Sequence, residues 1–433
     1  MPTGWFTLRT TCSLPAHREY TLQRDSAGIR SARGGRLVPA ATAGAIPPGR
    51  GREYDQGVAS PTVDAPAAGE SPPGPGASAE AFAGKVFAAL LGALETQAIY
   101  LGDKLGYYRA LDDHGALTAP ALASITGTHP RYAREWLEHQ AVNGYVLVDE
   151  PRAAPDARQY TLTEGAAAVL ARDSDLTYMA PFASLAAATA SHLDALVHAY
   201  RTGGGVSWKQ LGDDAREGQG AANKPLYLGP LVNEYIPSLG AIHERLSAGA
   251  AVADIGCGTG WSSIAMATRY PASTIDGYDI DEASIEQARR NARASGNPTN
   301  LGFHLGDAAE AGQDGHYDLV CAFECIHDMP DPVSVLATMR RMAKPGGTVM
   351  IMDEKVAEAF TAPGDDTERL MYGFSILCCL PDGMSHQPSV GTGTVMRPST
   401  LEAYGRSAGF DGLEVLPLDN DFFRFYRLIL PEG

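Results

Sequence analysis

The chain has 433 residues, 44% of them hydrophobic and 20% charged, which allows two or three domains with sizeable cores. A net charge of −17 argues against a nucleic-acid partner, since phosphate backbones demand a basic footprint. No run of 18 or more apolar residues occurs, so no membrane span is expected.

Residues 1–80 read as a disordered tail. The first 52 carry eight Arg, no Lys and only Glu19 and Asp25, and the stretch from Ser60 to Ala79 is mainly Pro, Gly, Ala and Ser. Such a composition cannot bury enough surface to order itself. Order is expected from Lys85, where Val86, Phe87, Leu90, Leu91 and Leu94 recur at helical spacing, resuming through Leu101, Leu105 and Tyr108.

Next, Thr118–Thr126 predicts a capped helix, and residues 131–143 a second one stopped by Gly144. The β-rich pieces Tyr145–Val148 and Gln159–Thr163 follow, giving a winged-helix unit over 81–170. From 85 to 170 there are seven Lys/Arg against ten Asp/Glu, a poor match to DNA. Dimerisation and covering a substrate site suit this unit better. Residues 171–245 predict a helical connector, with a flexible stretch around Gly203–Trp208.

From 246 to 433 short apolar strands alternate with helices, at 250–256, 273–279, 301–307, 317–323 and 347–353. That alternation means an α/β domain with a mostly parallel sheet. The last two strands, 412–418 and 422–430, are joined by only Asp419–Asp421, which forces an antiparallel final strand.

The strand ends carry what a nucleoside cofactor such as S-adenosylmethionine needs. Asp254 precedes Gly256, Gly258 and Gly260, whose backbone can approach a ligand and turn tightly into a helix. Asp279, followed by Ile280, lies where a carboxylate can take both ribose hydroxyls. Asp307 and Ala308 offer an acceptor for an adenine amino group, while Phe323 and Glu324 would line the methionine side.

These segments, DIGCGTG, GYDID, LGDAAE and YDLVCAF, resemble class I S-adenosylmethionine-dependent methyltransferases in their order along 250–430. Over 85–430 the chain is similar to the winged-helix small-molecule methyltransferases, many of which O-methylate phenols and polyketides as dimers. CIHDMPDP followed by KPGGTVMIMDE resembles their His-Asp motif and the strand after it, with Met329 where those enzymes usually carry an aromatic residue. The resemblance implies a Rossmann-like seven-stranded sheet behind a winged helix. It also implies a homodimer and a small-molecule acceptor, and the charge and the lack of an apolar run add the expectation of no nucleic-acid or membrane partner.

Methyl transfer from a sulfonium is an in-line displacement that needs a base only for a protonated nucleophile. His327, expected to be mostly neutral near its usual pKa, is the candidate base, with Glu354 as its orienter. Asp331, before Pro332, reads as a helix cap. The six cysteines form no CxxC pair and no Cys/His ligand spacing, so reduced thiols in a cytoplasmic protein and no metal ligands are expected. Two alternatives are an NAD(P)-dependent oxidoreductase, which would share the glycine loop, and a winged-helix regulator built on a non-catalytic S-adenosylmethionine-binding fold.

Overall fold

A computed structural model describes residues 78–310 and 312–431, so the expected tail lies almost wholly outside the described residues. Helix α1 (Ala79–Lys104) begins earlier than expected because the Ser78 hydroxyl caps it, accepting from the Ala81 amide. It ends before Gly106, whose φ of 70° starts α2 (Tyr107–His114). The continuous helical spacing through Tyr108 therefore folds as two helices.

Thr118 caps α3 (Ala119–Thr126), and α4 (Pro130–Val142) starts with proline at its first position. Strands β1 (Val146–Val148) and β2 (Tyr160–Leu162) pair antiparallel and complete the wing. Tyr107, Tyr108, Leu122, Trp136 and Leu137 fill the centre of this unit. The Tyr108 hydroxyl donates to Gln140 Oε1 at 2.6 Å, satisfying an amide with no solvent exposure.

Helix α5 (Glu164–Leu170) packs Ala167 and Leu170 into the same core, and the connector consists of α6 (Ala180–Ala190), α7 (Leu193–Thr202) and α8 (Trp208–Leu226). A π-helical segment, Tyr227–Tyr235, continues into the short α9 (Ile236–Ser238), and α10 (Ala241–Ala248) follows. The stretch expected to be flexible is docked instead. The Val206 amide donates to the Pro381 carbonyl at 3.0 Å, and the Trp208 amide donates to Asp382.

The remaining chain alternates β3 (Ala251–Ile255), α11 (Trp261–Arg269), β4 (Thr274–Asp279), α12 (Glu282–Ala294), β5 (Leu301–Leu305) and β6 (Tyr317–Phe323). Then come α13 (Pro332–Met342), β7 (Ala343–Glu354), α14 (Asp366–Phe374), a π-helical turn (Ser375–Cys379), α15 (Leu380–Ser385) and α16 (Pro398–Ser407). Strands β8 (Gly412–Val415) and β9 (Phe423–Ile429) close the sheet.

The seven strands lie in the order β5-β4-β3-β6-β7-β9-β8, and only β9 runs against its neighbours. The reversed last strand was forced by the short link, although β8 ends early and residues 416–422 make the connection. Apolar residues cover both faces of the sheet, around Ile255, Val320 and Ile351 on one side and Val252, Leu319 and Met350 on the other. Burial on both faces explains why the central strands read as continuous apolar runs.

Replacing Tyr108 by Phe removes the donor and leaves Gln140 Oε1 buried without a partner. Urea unfolding should show a loss of about 1–3 kcal/mol with an unchanged m-value.

Candidate active site

The site opens at the carboxyl ends of β3, β4 and β6, where such sheets gather ligands. After β3 the backbone turns at Gly256 (φ 68°), and a Cβ there would stand 2.7 Å from Cys325 Sγ, so only glycine fits. The Gly258 amide donates to Asp279 Oδ2 and the Asp281 amide to Asp279 Oδ1, both at 2.8 Å. Burial nevertheless pushes the Asp279 carboxyl up to about 6.

These residues border one cavity of about 1070 Å³. Asp279, Ile280, Asp307, Ala308 and Phe323 all line it, as the strand-end pattern requires. Ile280 is 65% exposed, an apolar side chain left uncovered at the rim. Asp307 Oδ1 accepts from the Ala309 amide at 2.8 Å and remains open to solvent.

Two expected cofactor residues do something else. Asp254 is buried below the loop, outside the cavity lining, and its Oδ2 accepts from the Ser262 and Ser263 hydroxyls at 2.6 Å each. It ties the end of β3 to the start of α11. Gly260 likewise does not line the cavity; a Cβ there would lie 2.6 Å from the Phe303 ring, so its need is close packing.

The opposite wall comes from the helical region. Arg216, Gln219, Gly220 and Asn223 follow one another along one face of α8 and border the cavity. Gln219 and Asn223 both donate to Glu324 Oε2, the former at 2.8 Å. Glu324 itself has φ 52°, a left-handed conformation costly for a residue with a Cβ. Burial, followed by the charge of Glu354, pushes its carboxyl up to about 8.

His327 sits on a 3₁₀ turn, Ile326–Asp328, just past β6 and is only 2% exposed. Its Nδ1 lies 2.9 Å from Asp353 Oδ1 and 3.1 Å from Glu354 Oε2, and its Nε2 lies 3.2 Å from Asp328 Oδ1. Glu354 is thus within reach, but Asp353 makes the hydrogen bond. Burial opposes a charged ring, yet the three carboxylates outweigh it and hold the imidazole well above its usual pKa. The expectation of a mostly neutral His327 meets three carboxyl groups around one ring, which favour its protonated form. Folding also brings together two sets of metal-ligating atoms that spacing could not reveal, His327 with Asp328 and Cys379, and His327 with Asp353 and Glu354, each within 4.8 Å.

Asp331 caps α13 through the Ser334 amide at 3.0 Å, as read from the sequence. The cysteines among the described residues are all free thiols, with Cys378 and Cys379 in the cavity wall.

A family described as a methyltransferase domain matches residues 246–382. The chain is 31% identical over 210 residues to a ubiquinone biosynthesis O-methyltransferase of Nitrosospira multiformis, covering 47% of this chain and 80% of that one. This chain belongs to the S-adenosylmethionine-dependent O-methyltransferases.

A second such enzyme, of Pseudomonas savastanoi pv. phaseolicola, is 32% identical over 197 residues, covering 44% of this methyltransferase and 78% of the relative. Solved structures extend the likeness in fold to the helical part. The mitomycin 7-O-methyltransferase MmcR superposes with a TM-score of 0.59 at 23% identity, over 81% of this chain and 98% of that one. Human N-acetylserotonin methyltransferase in complex with S-adenosylmethionine gives 0.60 at 16% identity, over 83% and 100%. The cofactor of this methyltransferase is S-adenosylmethionine, and its acceptor is a small molecule. The nicotinamide and regulator alternatives are set aside.

Three features of the site escaped the sequence reading. Asp353 precedes the expected Glu354, and at a strand end neighbouring side chains can both reach one loop. Asp382 and the α8 residues approach only through tertiary packing.

Asp254→Ala should leave the Ser262 and Ser263 hydroxyls buried without their acceptor. Denaturant unfolding should show a loss of about 1–3 kcal/mol, and an unchanged stability would mean that the loop is held by its glycines alone.

Proposed function

We propose that this methyltransferase transfers the methyl group to a hydroxyl of its small-molecule acceptor, with His327 as the general base. The observation that carries this reading is the imidazole at the cavity wall, with Nδ1 fixed by Asp353 and Nε2 beside Asp328. S-adenosylmethionine supplies an activated methyl on a sulfonium, so the chain has only to bind, align and deprotonate. Asp279 takes the ribose hydroxyls, Ile280 covers the adenine, and Asp307 accepts from the adenine amino group. Glu324, fixed by Gln219 and Asn223, faces the methionine end. Placing hydroxyl and methyl in line can supply ~7–11 kcal/mol of the barrier.

The acidic ring gives the base an unusual setting. A histidine whose pKa is raised is occupied by a proton over a wider pH range. It becomes able to accept one from the substrate only as the pH rises through that raised value. Activity therefore increases with pH, along a limb set above the ordinary histidine range.

The same reading assigns the helical region 81–245 to assembly and to covering the site, and the domain 246–433 to cofactor and chemistry. One face of α1 is tied down: the Trp136 indole donates to the Ala98 carbonyl and the Tyr145 hydroxyl to Glu95. Its other face exposes Phe82, Val86, Phe87, Leu90 and Leu94, each about half or more exposed. By length and composition alone α1 could cross a membrane, contrary to the sequence expectation that no segment would. A second copy of the chain is the occupant proposed here, giving a homodimer, since the C-terminal part of the helix, from Glu95 to Lys104, is anchored to a folded domain. Free thiols in the described residues support a cytoplasmic location.

Asp279→Ala should weaken S-adenosylmethionine binding by about 1.5–3 kcal/mol in calorimetry, the worth of hydrogen bonds to a charged group. His327→Ala should cut turnover on the true acceptor by ~10²–10⁴ while cofactor affinity stays nearly constant. Asp353→Asn removes one of the charges that raise the His327 pKa, so the rising limb of the pH–rate profile should move to lower pH. A mutant retaining the wild-type limb would show that Asp353 does not act through His327.

A further inference from the structure

We propose that the acceptor is an organic cation: a small hydroxyl compound whose ammonium group seats between Asp328 and Asp382 while its hydroxyl faces His327. This deepens the reading above and rests on it for the placement of the hydroxyl.

Asp328 and Asp382 come from separate segments that fold against each other. Asp328 ends the turn that carries His327, and Asp382 lies on α15. A Cβ on Gly383 would stand 2.9 Å from the Asp328 carbonyl oxygen, so α15 lies directly on that turn. Both carboxylates border the cavity. Two like charges on the wall of one cavity raise each other's energy, more so away from water. Accordingly burial, then the charge of Asp328, pushes the Asp382 carboxyl up to about 7.

No cation of the chain offsets them. Among the described residues Asp382 has no ion pair, and Asp328 meets only His327, which Asp353 and Glu354 already claim. Arg216 lies 3.2 Å from Asp281 with its Nη1 buried and unpartnered, and Lys209, exposed at the cavity wall, forms no ion pair with either carboxylate. Asp382 takes one hydrogen bond, from the Trp208 amide at 2.7 Å. Asp328 Oδ1 is buried, and its one close polar neighbour among the described residues is His327 Nε2 at 3.2 Å.

A second, independent group lies in the wall of the same cavity. Thr394 is 1% exposed, lines the cavity, and its hydroxyl has no partner. It is held close to the base, since the neighbouring Gly393 amide donates to the His327 carbonyl at 3.1 Å. Buried polar groups left open in this way are satisfied by a ligand or by water. An ammonium is the ligand that suits two carboxylates and a hydroxyl at once, because it carries several donors and a positive charge. Phe182, Leu370, Met371 and Phe374 give the apolar wall for the body of the molecule.

The test is calorimetry on the full chain, treated with a chelator and saturated with S-adenosylhomocysteine, using three ring-matched probes. Tyramine is cationic, tyrosol is neutral and 4-hydroxyphenylacetate is anionic. Tyramine should bind about tenfold or more tighter than tyrosol, the scale of a hydrogen-bonded charge, and the anion weakest of all. Asp382→Asn and Asp328→Asn should each bring tyramine close to tyrosol with S-adenosylhomocysteine affinity retained, which separates lost recognition from misfolding. His327→Ala should keep the tyramine preference, so a failure of the base reading is told apart from a failure of this one. The proposal is overturned if tyrosol binds as tightly as tyramine, if tyramine does not bind at all, or if the preference survives both Asn variants. It is overturned as well if zinc alone binds stoichiometrically and Asp328→Asn abolishes that binding, since the charges would then serve a metal.

Discussion

Charge taken out of water must be matched, and at the carboxyl edge of this sheet one imidazole is matched against three carboxylates. His327 stands almost fully buried between Asp328, Asp353 and Glu354. Everything around it serves that arrangement. β6 and β7 are neighbours, so the turn after one and the last residues of the other meet. Because β7 ends in two successive acids, both can reach Nδ1 from the same strand end. The reversed β9 covers the other side of β7, with Glu354 paired to Phe423 and Asp353 to Arg424 in register.

The acid surplus extends beyond the histidine. Glu324, Glu354 and Asp382 are all pushed above the usual carboxylate range, first of all by burial. Such groups cost stability in the empty protein and are tolerated where function uses them. Glu324 adds backbone strain to its burial and is held by two amide side chains from α8. The helical region therefore does more than dock on the sheet: it supplies one wall of the cavity.

The sheet was legible because its strands announce themselves. Short apolar runs separated by helical stretches and a short final link leave few topologies, and Asp279, Asp307 and Phe323 at the strand ends all border the cavity. Asp254 and Gly260 were misread for one reason: a motif marks where the loop is, without saying which of its residues face the ligand and which brace it. Asp254 reaches two serines that a linear pattern does not connect, and Gly260 is required by Phe303, from another strand. The upward push on the His327 pKa was missed because it depends on Asp328, Asp353 and Glu354 together. Asp382 and Thr394 carry no local signature, since each becomes part of the site only when residues 375–394 fold back on the turn after β6.

The account stands on the protonation state of one ring. Nitrogen-15 NMR of labelled histidine, on the full chain with S-adenosylhomocysteine bound and His327→Gln as the assignment control, reads it directly. The account predicts an imidazolium signal for His327 at neutral pH, with titration only well above the usual histidine range. A neutral ring at that pH, titrating at or below the ordinary value, would contradict it.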